Sequence, residues 1–228
     1  MRNSCILGMA VAILFATECD ATLSIDVQTI NVSGDVVKGS GVLLEESRNV
    51  PEFSSIDLSG VYEVIVRCGQ KQEVIVFGDD NVVPHVKTEV NGNVLKVFLD
   101  HSISTRNKIK LILSANRIDS LKVSGTANVD ISRLNNKSFN LKISGTGHVK
   151  AEGLSDALEI TMSGAGNADA KNLTAKTAVV DMSGAGNVVL SASDELIVSI
   201  RGVGNVFYYG NPGRVVKNVS GVGKILRR

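Results

Sequence analysis

The chain has 228 residues, enough for one or two domains with a substantial core, and its 24 Lys and Arg offset 23 Asp and Glu to a formal charge of +1. That balance speaks against nucleic acid or a polybasic membrane surface as partner. Only 4% of the residues are aromatic and tryptophan is absent, which suits thin β-structure filled by Val, Ile and Leu.

Residues 1–21 carry Arg2, an apolar run from Ile6 to Ala16, and Cys19-Asp20-Ala21. The run is too short to cross a bilayer and sits where a secretory h-region belongs, so a signal peptide cleaved after Ala21 is expected, with no transmembrane segment after cleavage. Glu18 stands where a lipoprotein signal carries a small residue, so no lipid anchor is expected at Cys19. Cleavage leaves Cys68 alone. It shares the inward parity of Val64 and Val66 and reads as a buried small hydrophobe, so stability independent of a disulfide is expected.

Residues 22–49 alternate through Leu23–Val27 and Ile30–Val32 and are expected to form an opening strand or cap over the first turn, because an uncovered solenoid end is an unpaired edge. Residues 50–118 are expected to form an N-terminal β-helical half. Around Gly60 stand Ile56 and Leu58 before and Val64 and Val66 after, and further strands are predicted at Glu73–Phe77, Val94–Leu99 and Lys108–Leu113. The turn signals between them are Gly78-Asp79-Asp80-Asn81 and the hairpin-type Asn91-Gly92-Asn93.

Residues 119–228 are expected to form the C-terminal half, where one motif recurs six times: Ser124-Gly125-Thr126-Ala127-Asn128, Ser144-Gly145-Thr146-Gly147-His148, Ser163-Gly164-Ala165-Gly166-Asn167, Ser183-Gly184-Ala185-Gly186-Asn187, Arg201-Gly202-Val203-Gly204-Asn205 and Ser220-Gly221-Val222-Gly223-Lys224. The spacing is 18 to 20 residues, and both flanks of each shared glycine alternate apolar and polar with period two. The pattern predicts an all-β fold, a β-helix whose turn is strand, Gly-rich corner, strand and return. Gly125, Gly145, Gly164, Gly184, Gly202 and Gly221 are the predicted corners, held at positive φ, with Gly184 more sensitive to substitution than Gly186. Asn128, Asn167, Asn187 and Asn205 would stack in a column able to hydrogen-bond from turn to turn. Lys217 and Arg227 fall in core columns of the last turn, where charge discourages another chain from adding on.

Gly39-Ser40-Gly41-Val42, then Glu46, Arg48, Val50, Phe53, Ile56 and Gly60, followed by the Ser-Gly-x-Gly-Asn copies, resembles the bacterial family described as the putative auto-transporter adhesin head GIN domain. The resemblance spans about Gly39 to Gly223. It implies an exported β-helical protein of the periplasm, outer membrane or cell surface, adhesin-like, and brings no catalytic or binding residues with it.

The remaining motifs are weak as chemistry. The glycines precede strands and no Gly-Lys-Ser/Thr completes a phosphate loop. A calcium β-roll needs an Asp column that Asn, His and Lys occupy here. His85, His101 and His148 share no ligand spacing, so neither a metal site nor a cofactor is expected. The outward column Asp130, Lys150, Asp169 alternates in sign and reads as a solvated ladder rather than a catalytic carboxylate pair. That column then turns apolar at Val189, Phe207 and Leu226, with Tyr209 beside it. These four are the candidate interaction patch, for self-association or for an envelope protein or glycan. The reading is a non-enzymatic binding module. The alternative is a carbohydrate-active β-helix enzyme of the polysaccharide lyase or hydrolase type.

Overall fold

The computed structural model describes residues 36–228, so the expected signal peptide and the first part of the expected cap lie outside the described residues. The N-terminal strands are β1 (Val36–Lys38), β2 (Leu43–Ser47), β3 (Ser55–Ser59), β4 (Val61–Cys68), β5 (Glu73–Asp79), β6 (Val86–Asn91), β7 (Val94–Leu99), β8 (Ser102–Ser104) and β9 (Lys110–Ala115), with a 3-10 turn at Val83–His85. The repeats supply β10 (Ser120–Val123), β11 (Thr126–Ile143), β12 (Thr146–Met162), β13 (Ala165–Met182), β14 (Ala185–Ile200), β15 (Val203–Tyr209), β16 (Arg214–Val219) and β17 (Val222–Arg227). They wind a parallel β-solenoid of about five turns. No described helix is long and apolar enough to cross a membrane.

Each long strand serves two coils. Its first part pairs after the corner, as Thr126–Ile131 does with Thr146–Ala151; its last part pairs before the next corner, as Ser138–Ile143 does with Ala157–Met162. Between them a short third ladder joins Leu134–Asn136 to Gly153–Ser155, and the register shifts at the bend after Ile131. At that bend Arg133 has φ +60°, the only positive-φ non-glycine among the described residues, and in the next coil the work falls to Gly153 at φ +137°. Side chains at period two from three faces thus meet on the axis. Ile56, Leu121, Leu141, Ile160, Val180 and Val198 form one buried column, and Leu58, Val123, Ile143, Met162, Met182 and Ile200 another.

The glycine corners have a cause other than the expected one. None of the six shared corner glycines has positive φ; Gly166, Gly186 and Gly204, two places on, do, at +158°, +147° and +154°. What the shared glycine provides is room. Gly145 points its carbonyl along the stack to accept the Ala165 N–H at 2.9 Å, and a Cβ on Gly164, one coil on, would land on that same oxygen. Gly164 does the same for Ala185 at 2.9 Å, with Gly184 above it. Any side chain there would break the coil-to-coil bond that forms the corner. Gly186 is doubly bound, by φ and by a Cβ position that overlaps the Gly166 carbonyl, which corrects the expectation that it is the more tolerant site.

The N-terminal strands head the same stack, out of chain order. β3 lies between β7 and β10, with Asp57 flanked by Lys96 and Lys122, and β4 lies between β9 and β11. Three antiparallel pairings then close the ladders, β6 on β7, β5 on β9 and β2 on β5. The segment 36–49 is fastened there: β1 pairs with β8, Asn81 Nδ2 donates to the Lys38 carbonyl at 2.7 Å, and the Asp80 N–H donates to Val42 at 2.8 Å. Beside this clasp the buried carboxylate of Asp79 accepts from Thr105 Oγ1 and from Asn107 Nδ2, both at 2.6 Å. These two donors hold its pKa below the usual carboxylate value. Cys68 is buried and unpaired among the described residues, and desolvation pushes its thiol up to about 11.

Candidate interaction surface

The outward positions after the corner carry the candidate patch. Register stacks Asp169 on Val189, Val189 on Phe207 and Phe207 on Leu226, and sets Ser191 against Tyr209. Leu226 is 42% exposed, whereas Val189, Phe207 and Tyr209 are half-buried. Cations account for the shielding of the two rings. The Arg228 guanidinium lies 4.6 Å from the Phe207 centroid, and Lys171 Nζ lies 4.6 Å from that of Tyr209. The four predicted residues are therefore brought onto one outer face, and its most exposed apolar members are Val203 and Val222 on the corner, 58% and 72% exposed.

Burial decays in the last coil, on which no described strand stacks. Val219 occupies a core column yet is 46% exposed. Lys217 also stands in a core column; its Nζ lies 5.2 Å from the Tyr208 ring centroid and donates to the Ile225 carbonyl at 3.3 Å. The ammonium thus lies across an otherwise open end. Below this face the asparagines form their ladder, Asn187 Nδ2 donating to Asn167 Oδ1 at 3.2 Å and Asn205 Nδ2 to Asn187 Oδ1 at 3.3 Å. Asn128 sits in the same column, in register with His148.

Further along the same face Asp130, Lys150 and Asp169 are in register, but Lys150 Nζ turns to Glu152 at 2.7 Å. That hydrogen bond is the main cause that raises the Lys150 pKa and lowers that of Glu152, with Asn172 assisting on the carboxylate. The three described carboxyls with shifted pKa, Asp79, Asp100 and Glu152, all shift down. A general acid at a glycosidic bond needs the opposite.

Sequence reasoning missed a groove of about 290 Å³ near the other end, between the first corner and the 103–109 segment, lined by Val61, Tyr62, Leu99, Ile103, Ile109 and Lys108 among others. No periodic signal marks it, since the wall formed by residues 103–109 lies outside the repeats and faces strand β4 and the first repeat at Thr126 and Asn128. Lys108 closes one side by an ion pair with Glu63.

A parallel solenoid with Gly-x-Gly corners and a ladder of outward side chains is a repeat architecture in which each coil contacts only its neighbours. Residues 52–212 match the family described as "putative auto-transporter adhesin, head GIN domain", and the chain belongs to that adhesin-like family. No curated protein matches it. Solved structures share the fold. A putative adhesin from Bacteroides fragilis superposes with a TM-score of 0.69 at 24% identity, covering 84% of this chain and 100% of its own. A putative adhesin from Parabacteroides merdae gives 0.54 at 20% identity over 86% and 100%, and a putative lipid binding protein from Parabacteroides distasonis gives 0.54 at 18% over 85% and 99%.

Proposed function

We propose that the chain is an exported, non-enzymatic, adhesin-like module of the bacterial cell envelope that holds its partner on the outer face at the C-terminal end of the stack. The observation that carries this reading is the in-register column Val189, Phe207 and Leu226, with Tyr209 beside it and the exposed corner valines Val203 and Val222 on the same two strands. Apolar side chains stacked on consecutive coils make a contiguous patch, and exported proteins cover such patches with a partner. The two cations over the rings fit a partner with anionic or hydroxyl groups around an apolar centre, as a protein or a glycan offers. Membership in an adhesin-like family supports the envelope assignment, as does the signal-like sequence of residues 1–21.

The test is a screen of the protein against envelope proteins and glycans, repeated with Phe207→Ser/Tyr209→Ser and accompanied by sedimentation equilibrium and thermal unfolding. Binding or self-association should fall at least about tenfold while the unfolding midpoint moves by a few degrees. A variant that unfolds much earlier with association unchanged would show that the rings belong to the core and not to an interface.

A further inference from the structure

The structure brings together two histidines, His85 and His101, that stand 16 residues apart in the sequence. The β6–β7 ladder pairs Val86 with Leu99, so the next positions outward, His85 and Asp100, face each other, and the Asp100 N–H donates to the His85 carbonyl at 3.2 Å. His101 follows directly, and its ring meets that of His85 edge-on at 63° with centroids 4.4 Å apart. Both imidazoles turn Nδ1 to one oxygen, Asp100 Oδ1, at 2.9 Å from His85 and 2.7 Å from His101. Potential ligand atoms of the three residues all lie within 4.8 Å of one another.

We propose that His85, Asp100 and His101 form a binding site for a divalent metal ion of the zinc, copper or nickel class. Two imidazole nitrogens and one carboxylate oxygen are the donor set these ions prefer. At metal–ligand distances of about 2.0–2.2 Å, adjacent donors stand about 3.0–3.4 Å apart, so the two nitrogens must draw back from Oδ1 by up to about 0.7 Å and swing from that oxygen toward a shared point to admit the ion. The ion takes the place of the Nδ1 proton on each ring; that proton leaves to solvent and Nε2 carries one in its stead, so each imidazole stays neutral and one centre holds what two hydrogen bonds hold now.

The cluster is held from behind. Lys87 Nζ binds the other carboxylate oxygen, Oδ2, at 3.0 Å and also donates to the Pro84 carbonyl at 2.8 Å, which leaves Oδ1 for the imidazoles. His85 ends the 3-10 turn, where its N–H donates to Val82 at 2.9 Å, and Val82, Val83 and Val86 around it are fully buried. The ligands thus sit on fixed backbone, as a preorganised site requires. In front they are open, with side chains 27% exposed for His85, 29% for Asp100 and 45% for His101, so water or a partner's side chain can fill the remaining coordination positions. Lys87 also sets the site's weakness, since its charge, paired with the other oxygen of the same carboxylate, opposes the incoming cation.

The test is zinc and copper titration of the untagged full chain under reducing conditions, by calorimetry, with copper spin resonance for the ligand atoms. One ion should bind with nitrogen hyperfine structure, and zinc should raise the unfolding temperature. His85→Ala, His101→Ala and Asp100→Asn should each weaken binding by about tenfold or more, His148→Ala should leave it unchanged, and Lys87→Met should tighten it. Equal affinity in the wild type and in His85→Ala/His101→Ala would overturn the assignment, as would binding that disappears only when Cys5 and Cys19 are replaced.

Discussion

The two ends of this stack are finished in different ways. At the N-terminal end β2 and β6 run antiparallel to their neighbours, and the segment 36–49 is clasped by Asn81 and Asp80, so the ladders end in strands unlike those they cover. At the C-terminal end the last coil is a further copy of the repeat. Among the described residues no strand covers it; the ammonium of Lys217 is drawn across it, with Arg227 in the neighbouring column. Charge in those columns discourages a further strand from adding on, and Val219 and Val222 stay at the surface. Both ends leave apolar side chains exposed, Val36, Val42 and Leu43 near the clasp and Val203, Val222 and Leu226 in the last coils, and those of the last coils lie on strands paired in register.

The repeats should be the least forgiving region. Gly186→Ala and Gly184→Val should each cost about 4 kcal/mol or more, because each places a carbon on a carbonyl oxygen of the preceding coil, whereas Gly213→Ala, whose new Cβ meets nothing nearer than 3.8 Å, should change stability by less than about 0.5 kcal/mol. Denaturant unfolding of the three variants measures this. Similar small losses at all three would mean that the corners can relax. Within the shared core, Phe139→Ala should cost about 3 kcal/mol, since the ring is fully buried in the ladder that precedes the corner, in register with Leu158.

The clasped end should respond to acid through a buried carboxylate, whereas the shifted carboxylate of the repeats, Glu152, is partly exposed. Asp79 has a folded pKa below its unfolded value of about 3.9, so its contribution to stability is present above that value and is lost as pH falls through the lowered folded pKa. Asp79→Asn should therefore be less stable than the wild type at pH 7, and the gap should close below about pH 4. A gap independent of pH would place the loss in packing rather than in the charged hydrogen bonds from Thr105 and Asn107. The smallest effect is expected from Asn187→Ala, at about 1 kcal/mol or less, because the amide ladder is partly exposed and each rung is one neutral hydrogen bond. Thermal unfolding checks it, and a loss as large as that of Phe139→Ala would mean the ladder sets the register.

The repeats were legible because each coil packs on a copy of itself, which forces the same residue type into the same column. The inward parity of Leu121, Val123 and Val129 and the outward parity of Phe207 both follow from that arithmetic. The strand boundaries near Glu73, Val94 and the Asn91-Gly92-Asn93 turn were legible from local signals. The order of the first coils was not, because β3 carries nothing that says it will sit between β7 and β10 rather than at an end. The cations over the rings escaped for another reason: Lys171 reaches Tyr209 from two coils away, a span fixed by side-chain length and not by register. The histidine pair was hidden by linear spacing, although counting outward from the Asn91–Val94 pairing sets His85 against Asp100.

Cysteine cross-linking tests the continuous stack most directly. In a chain with Cys5, Cys19 and Cys68 replaced, Asp57→Cys should form a disulfide with Lys122→Cys and, separately, with Lys96→Cys, since each is its in-register neighbour at about the 4.8 Å strand spacing, within disulfide reach. Lys96→Cys and Lys122→Cys should not join, because the Ser55–Ser59 strand lies between them. A disulfide linking positions 96 and 122 directly, with none to position 57, would contradict the interleaved order of the coils.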